Sequence, residues 1–180
     1  MASQHLLLEL SALYCQRDRH YHDLRHVADL LAWGRAFPLD EIQIWAVWFH
    51  DAIYDASRRD NEELSAQLAE ARLPALGYDE AFVGEVARIV RDTASHVPTT
   101  ERSKAVIDVD LAPLAISRER FLDNRARIRK EYAFACDEEF KTGTAAFAQS
   151  MLDREQIFHT PWGTEHEARA RENLQLLVDW

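Results

Sequence analysis

The chain has 180 residues and a mass of 20.8 kDa, enough for one hydrophobic core and too short for several domains. Hydrophobic residues are 47% and charged residues 29%, which excludes disorder over most of the chain. A formal charge of −10 at pH 7 repels phosphate backbones and anionic bilayers, so neither nucleic acid nor a membrane surface is an expected partner.

Five Gly and five Pro leave few turn residues, which disfavours strand-rich sandwiches and barrels and predicts an all-α fold. Leu6–Leu8 has no basic stretch before it and is followed at once by Glu9, unlike a secretory signal. No run approaches about 18 apolar residues. The expected location is cytoplasmic. Cys15 and Cys136 fit no metal or redox spacing and are expected to be reduced, buried thiols.

In chain order, a first helix is predicted over 4–16 and a second over 23–37, stopped by Pro38. Asp40-Glu41-Ile42-Gln43 reads as a capping box opening the most buried helix, with Ile42, Trp45, Trp48, Phe49 and Ile53 at helical spacing. Asp60-Asn61-Glu62-Glu63 is a second box, for a helix to about Ala71. Further helices are predicted over 79–96, over 117–140 from a Ser117 cap, from a break at Gly143 to about Phe158, and from a Thr164-Glu165-His166-Glu167 box to Trp180. Residues 97–103 read as a polar loop, and Ala105–Ile107 is too short an apolar run to assign. No linker or repeat divides the chain, so residues 1–180 are read as one domain.

Eight histidines are many for this length. Arg19-His20-Tyr21-His22 precedes His26, and His50-Asp51 ends the most apolar helix, where ionisable groups are costly unless paired or bound to metal. Asp108-Val109-Asp110 follows Ala105–Ile107. Imidazole and carboxylate together suit a divalent ion such as Mn, Fe, Co, Ni, Zn or Mg. Each piece also has a plain reading. His50-Asp51 can be a helix-end pair, His22 and His26 a solvated helix face, and Asp108 and Asp110 caps or an Asx turn.

Taken in order, these residues resemble the HD-domain superfamily of metal-dependent phosphohydrolases, and within it a group of predicted HD-superfamily phosphohydrolases. The matching stretches are Arg19–His22 with His26, Trp48–Asp55, Asn61–Ala66, Thr93–His96, Asp108–Leu111, Ile128–Tyr132 and Glu167–Leu174. The resemblance implies a single-domain, HD-type helical bundle around one divalent ion held by His26, His50, Asp51 and Asp110, with Asp108 as second choice or as a brace for a ligand or water. It implies hydrolysis of a phosphate ester of a small metabolite, a nucleotide among the candidates, by metal-activated water. Relatives with a Glu shortly after the His-Asp pair differ from this chain, which has Ala52-Ile53-Tyr54-Asp55 there. Asp55 or Glu62 would then serve as base beside Asp51. Arg19, His22, His96 and Arg129 are the substrate contacts the matching stretches suggest. The alternative is a metal-supported ligand-binding or regulatory module of the same fold, without catalysis. No surplus apolar face is apparent, which fits a monomer or weak homodimer.

Overall fold

Capping chemistry sets most of the helix starts in the computed structural model, which describes residues 2–35 and 38–179. The described residues form nine α-helices and no strand: α1 Ala2–Tyr14, α2 Leu24–Trp33, α3 Glu41–Phe49, α4 Asn61–Arg72, α5 Glu80–Thr93, α6 Glu101–Leu111, α7 Arg118–Glu131, α8 Asp137–Leu152 and α9 Pro161–Val178. The all-α expectation holds. No described helix is long and apolar enough to cross a membrane.

Asp23 caps α2 by accepting from the backbone N–H groups of Arg25 and His26, which fixes His26 in the first turn. Asp40 and Gln43 form the expected capping box of α3, which buries Trp45, Val47 and Phe49. Trp45 belongs to the core, as its spacing implies, while Ile44 faces out at 38% exposure.

Several boundaries depart from expectation. The second helix ends at Trp33, and Phe37 lies outside the described residues. Ile53 falls beyond the end of α3. Asp60 makes no capping bond, because its carboxylate takes the Arg58 guanidinium instead. Thr100 and Ser103 cap each other at the start of α6, so part of the expected polar loop and the whole of Ala105–Ile107 are helical. The segment predicted as one helix over 117–140 is α7, a turn at 132–136, and the start of α8. Gly143 lies inside α8 rather than breaking it. Thr160, not Thr164, caps α9, with Pro161 at the first helical position, where its missing N–H costs nothing. Trp180 lies outside the described residues. Cys15 and Cys136 are free but exposed, since one follows the end of α1 and the other precedes α8.

Two apolar clusters form the core. Leu10, Tyr14, Leu30, Phe49, Ala66, Ile89 and Val90 join the first five helices. Met151, Ile157, Phe158, Ala170, Leu174 and Leu177 join α8 and α9. The α6 helix is the wall between them: Val106 and Val109 pack into the first cluster, Ile107 and Leu111 into the second. Its Asp108 carboxylate is fully buried and accepts from the His159 and Thr160 backbone N–H groups and the Thr160 hydroxyl. This anchors the start of α9. A Cβ on Gly163 would collide with both the Phe158 side chain and the Asp108 carboxylate. Gly163→Ala is therefore expected to cost about 2 kcal/mol by overpacking. At 2–4 °C per kcal/mol for a chain of this size, a thermal melt should fall by about 4–8 °C.

Candidate metal centre

Four side chains from three elements converge at the end of α3. His26 comes from the first turn of α2, His50 and Asp51 from the end of α3, and Asp110 from the last turn of α6. His26 Nε2 and His50 Nε2 are 3.2 Å apart, and Asp51 Oδ2 lies 3.0 Å from His50 Nε2 and 3.8 Å from His26 Nε2. Asp110 Oδ1 is 3.6 Å from each of the two nitrogens. His96 Nε2 stands 3.3 Å from Asp110 Oδ2. Two ligand atoms each about 2.1 Å from one ion are about 3.0 Å apart at right angles and about 3.4 Å apart at the tetrahedral angle. Two of the three separations among the ligand atoms of His26, His50 and Asp51 fall in that range, the third is 3.8 Å, and all three residues are buried. The donor set therefore fits a divalent cation.

The surroundings fix these side chains one by one. The His50 Nδ1–H donates to the Val47 carbonyl at 2.8 Å, which turns Nε2 toward the cluster. The Asp51 N–H donates to the Tyr14 hydroxyl, which itself donates to the Trp48 carbonyl. Arg19 donates to the carbonyls of Asp51, Ala52 and His22. Glu131 is the hub of the next layer. Its Oε1 accepts from the backbone N–H groups of His20, Tyr21 and His22, and its Oε2 meets His22 Nδ1 at 2.6 Å and the Tyr54 hydroxyl at 3.1 Å.

The protein charges follow from this crowding. Burial pushes His50 down, but the Asp51 carboxylate and its bond outweigh that and raise the imidazole to about 9. Burial lowers His26 below the ordinary imidazole value against the pull of Asp110. Burial raises Asp51, yet the cations at His50 and His22 hold it well below the carboxylate range. Asp110 is likewise raised by burial and pulled lower by bonds from His26 and His96. Burial acts downward on His22, and the Asp51 charge with the Glu131 bond leaves it raised. Glu62 is raised by burial, with the Asp51 charge acting in the same direction.

A cleft of about 490 Å³ opens over the four residues, lined also by His22, His96, Glu62, Tyr54 and Arg59. The structure thus brings together His22, His26, His50, Asp51, Glu62, His96 and Asp110. It does not bring in the rest. Asp108 is consumed at the start of α9. Asp55 is exposed and bonds Ser57. Arg19 is spent on backbone carbonyls, and Arg129 on the Tyr132 and Ala135 carbonyls and Asp137. Neither arginine is left for a phosphate.

Three features were not anticipated. Glu131 has no role that its neighbours in sequence suggest, because its tie to residues 20–22 crosses more than a hundred positions. Arg59 borders the cleft as an exposed guanidinium with no hydrogen-bond or ion-pair partner among the described residues. His96 has φ 51°, a left-handed backbone uncommon for a side chain of its size, and Arg154 holds the carbonyls of Ser95 and His96 there. Compared with family models, with curated proteins and with solved structures, the chain shows no match.

Proposed function

We propose that the protein is a metal-dependent phosphohydrolase of the HD-domain type, acting on the phosphate ester of a small metabolite. The observation that carries this reading is the convergence of His26, His50, Asp51 and Asp110 at the floor of an open cleft. A divalent ion held by these four residues supplies Lewis acidity toward a phosphate oxygen and lowers the pKa of water. The residues around it provide the remainder. Glu62, kept partly protonatable by burial, accepts the proton of the attacking water. His22, with Nδ1 tied to Glu131, keeps Nε2 for a phosphate oxygen or for protonating the leaving oxygen. Arg59 supplies the unspent cation that phosphate recognition requires. His96 braces Asp110 from the opposite side.

The test is release of hydrolysis products (phosphate from monoesters and anhydrides, the alcohol from diesters) from a panel of all three, with Mn, Fe, Co, Ni, Zn and Mg each supplied in turn. Turnover that falls at least about a thousandfold in Asp51→Ala supports the reading. No release with any ion, alongside tight binding of a panel member, would favour the non-catalytic module. Arg59→Ala is expected to raise KM about tenfold, the worth of one charge-assisted hydrogen bond, with the melting temperature unmoved because the side chain has no partner to lose.

A further inference from the structure

The five tyrosines divide by what their hydroxyls do. Tyr14 donates to the Trp48 carbonyl, Tyr54 to Glu131 and Tyr78 to Glu41. The hydroxyls of Tyr21 and Tyr132 bond to no described residue, and both residues border the cleft. Tyr132 is half-buried, so water reaches it. Tyr21 is only 9% exposed, and a hydroxyl on a ring so deeply buried is ordinarily bonded, because leaving it unpaired costs stability. The Tyr21 hydroxyl is not sealed off. The buried side-chain polar atoms that have neither a partner nor an opening among the described residues belong to Arg125 and His159.

Everything about Tyr21 except that hydroxyl is tied down. Its backbone N–H donates to Glu131 Oε1 at 2.6 Å. Its ring meets His22 edge-on, with centroids 4.8 Å apart, and lies tilted against His26 at 5.1 Å. The Arg127 guanidinium covers the ring at 5.5 Å and is itself held by the His20 carbonyl and Asp23. Burial raises the phenol pKa, and the Asp110 and Asp51 charges raise it further. The hydroxyl is therefore a protonated donor, in the field of the two carboxylates at the floor of the cleft.

We propose that Tyr21 is a catalytic residue whose hydroxyl donates a hydrogen bond to a non-bridging phosphate oxygen of the substrate. The word substrate rests on the hydrolase reading above; contact with a tetrahedral oxyanion does not. The proton stays on Tyr21 throughout, so the hydrogen bond is all that forms and breaks. A donor fixed where negative charge gathers needs no reorganisation during the reaction. The fold carries an unpaired buried hydroxyl to provide it, the trade of stability for activity that functional sites make. Tyr21 also borders a recess of about 20 Å³ beside Trp33, room for one water. A water there would satisfy the hydroxyl and leave it no part in the reaction.

Tyr21→Phe and Tyr54→Phe test this as a pair, since one removes an unpaired hydroxyl from the cleft and the other a paired one. Without metal, Tyr21→Phe should melt level with wild type or up to about 4 °C above it, whereas Tyr54→Phe should melt about 2–4 °C lower. Metal content of Tyr21→Phe, by elemental analysis, should equal that of wild type. Its kcat on the best monoester of the panel should fall at least about a hundredfold. Its calorimetric affinity for inorganic phosphate, measured with metal bound, should fall at least about tenfold. That loss of phosphate affinity, with no ester turned over even by wild type, would keep the donor and remove the hydrolase reading. Turnover and phosphate affinity both within twofold of wild type would overturn the proposal, and a lowered melting temperature beside them would put a water in the recess instead. Loss of metal in Tyr21→Phe would also overturn it, by showing that the ring and hydroxyl only shape the cluster.

Discussion

Asp51→Ala is expected to abolish near-stoichiometric metal binding while leaving the helical fold intact. In the proposed site the carboxylate would contribute one of four ligand positions and one of two negative charges, and it lies 3.0 Å from His50 Nε2. Loss of a residue that merely orients a ligand weakens metal binding about 10–100-fold, so loss of a ligand should exceed a hundredfold. The fold should survive because the backbone at residue 51 is held by groups the substitution does not touch. Tyr14 accepts from the residue's N–H, and Arg19 donates to its carbonyl. Elemental analysis beside circular dichroism decides the matter. Full metal content in the variant would place the ion elsewhere.

The same site makes metal binding depend on pH in a defined direction. In the metal-free protein the His50 imidazole is raised from 6.5 to about 9, and its Nδ1 is committed to the Val47 carbonyl. A metal at Nε2 must therefore displace a proton below pH 9. Apparent affinity should climb about tenfold per pH unit up to about 9 and then level off. Stability of the metal-free protein runs the other way. A raised folded-state pKa contributes stability that is fully present below 6.5 and lost as pH rises through about 9. Melting temperature without metal should fall across that window, and saturating metal should remove the fall.

The sequence discloses the proposed metal ligands more readily than their support. His50 and Asp51 stand out because both are ionisable residues at the end of an apolar run, where burial without a partner is costly, whereas His26 is singled out only by the resemblance. Asp110 could not be told from Asp108 by spacing, since both lie on α6. The difference is rotational: two residues along a helix turn the side chain by about 200°. Asp110 thus faces α2 and α3 while Asp108 faces the start of α9. Capping rules located Asp40 and Ser117 because the cap and the N–H that donates to it lie within three residues. They failed at Asp60 and Thr164, where Arg58 and Thr160 offered better local partners. Arg19 and Arg129 looked available for substrate because a sequence does not show which carbonyls a fold leaves open. Arg59, which nothing in the spacing singled out, is the guanidinium left unspent at the cleft.

Glu131→Ala should be the most damaging single change outside the proposed metal ligands. The Glu131 side chain is 1% exposed, and it satisfies three successive backbone N–H groups at residues 20–22 as well as His22 Nδ1 and the Tyr54 hydroxyl. Alanine would leave those donors without an acceptor. Unsatisfied buried donors cost about 1–3 kcal/mol each, and breaking a buried charged pair costs about 3–5 kcal/mol, so a loss of at least about 3 kcal/mol is expected, or a melting temperature about 10 °C lower. Tyr54→Phe removes a single one of these bonds and should cost about 1 kcal/mol. The acid limb carries the same signature. Burial raises Glu131, but the His22 bond and charge prevail and bring it from 4.5 to about 2. A depressed folded-state pKa contributes stability that is present above about 4.5 and lost as pH falls through about 2. Wild type should therefore lose stability across that window, and Glu131→Gln, which cannot ionise, should lose less of it. Glutamine still offers one oxygen to the three backbone donors, but turns an amide N–H₂ toward His22 Nδ1. An NMR titration of the His22 ring then separates positioning from mere packing. The raised imidazole pKa of wild type should fall in Glu131→Gln even if the variant melts within a few degrees of it, and an unmoved His22 titration would show that Glu131 only staples the loop.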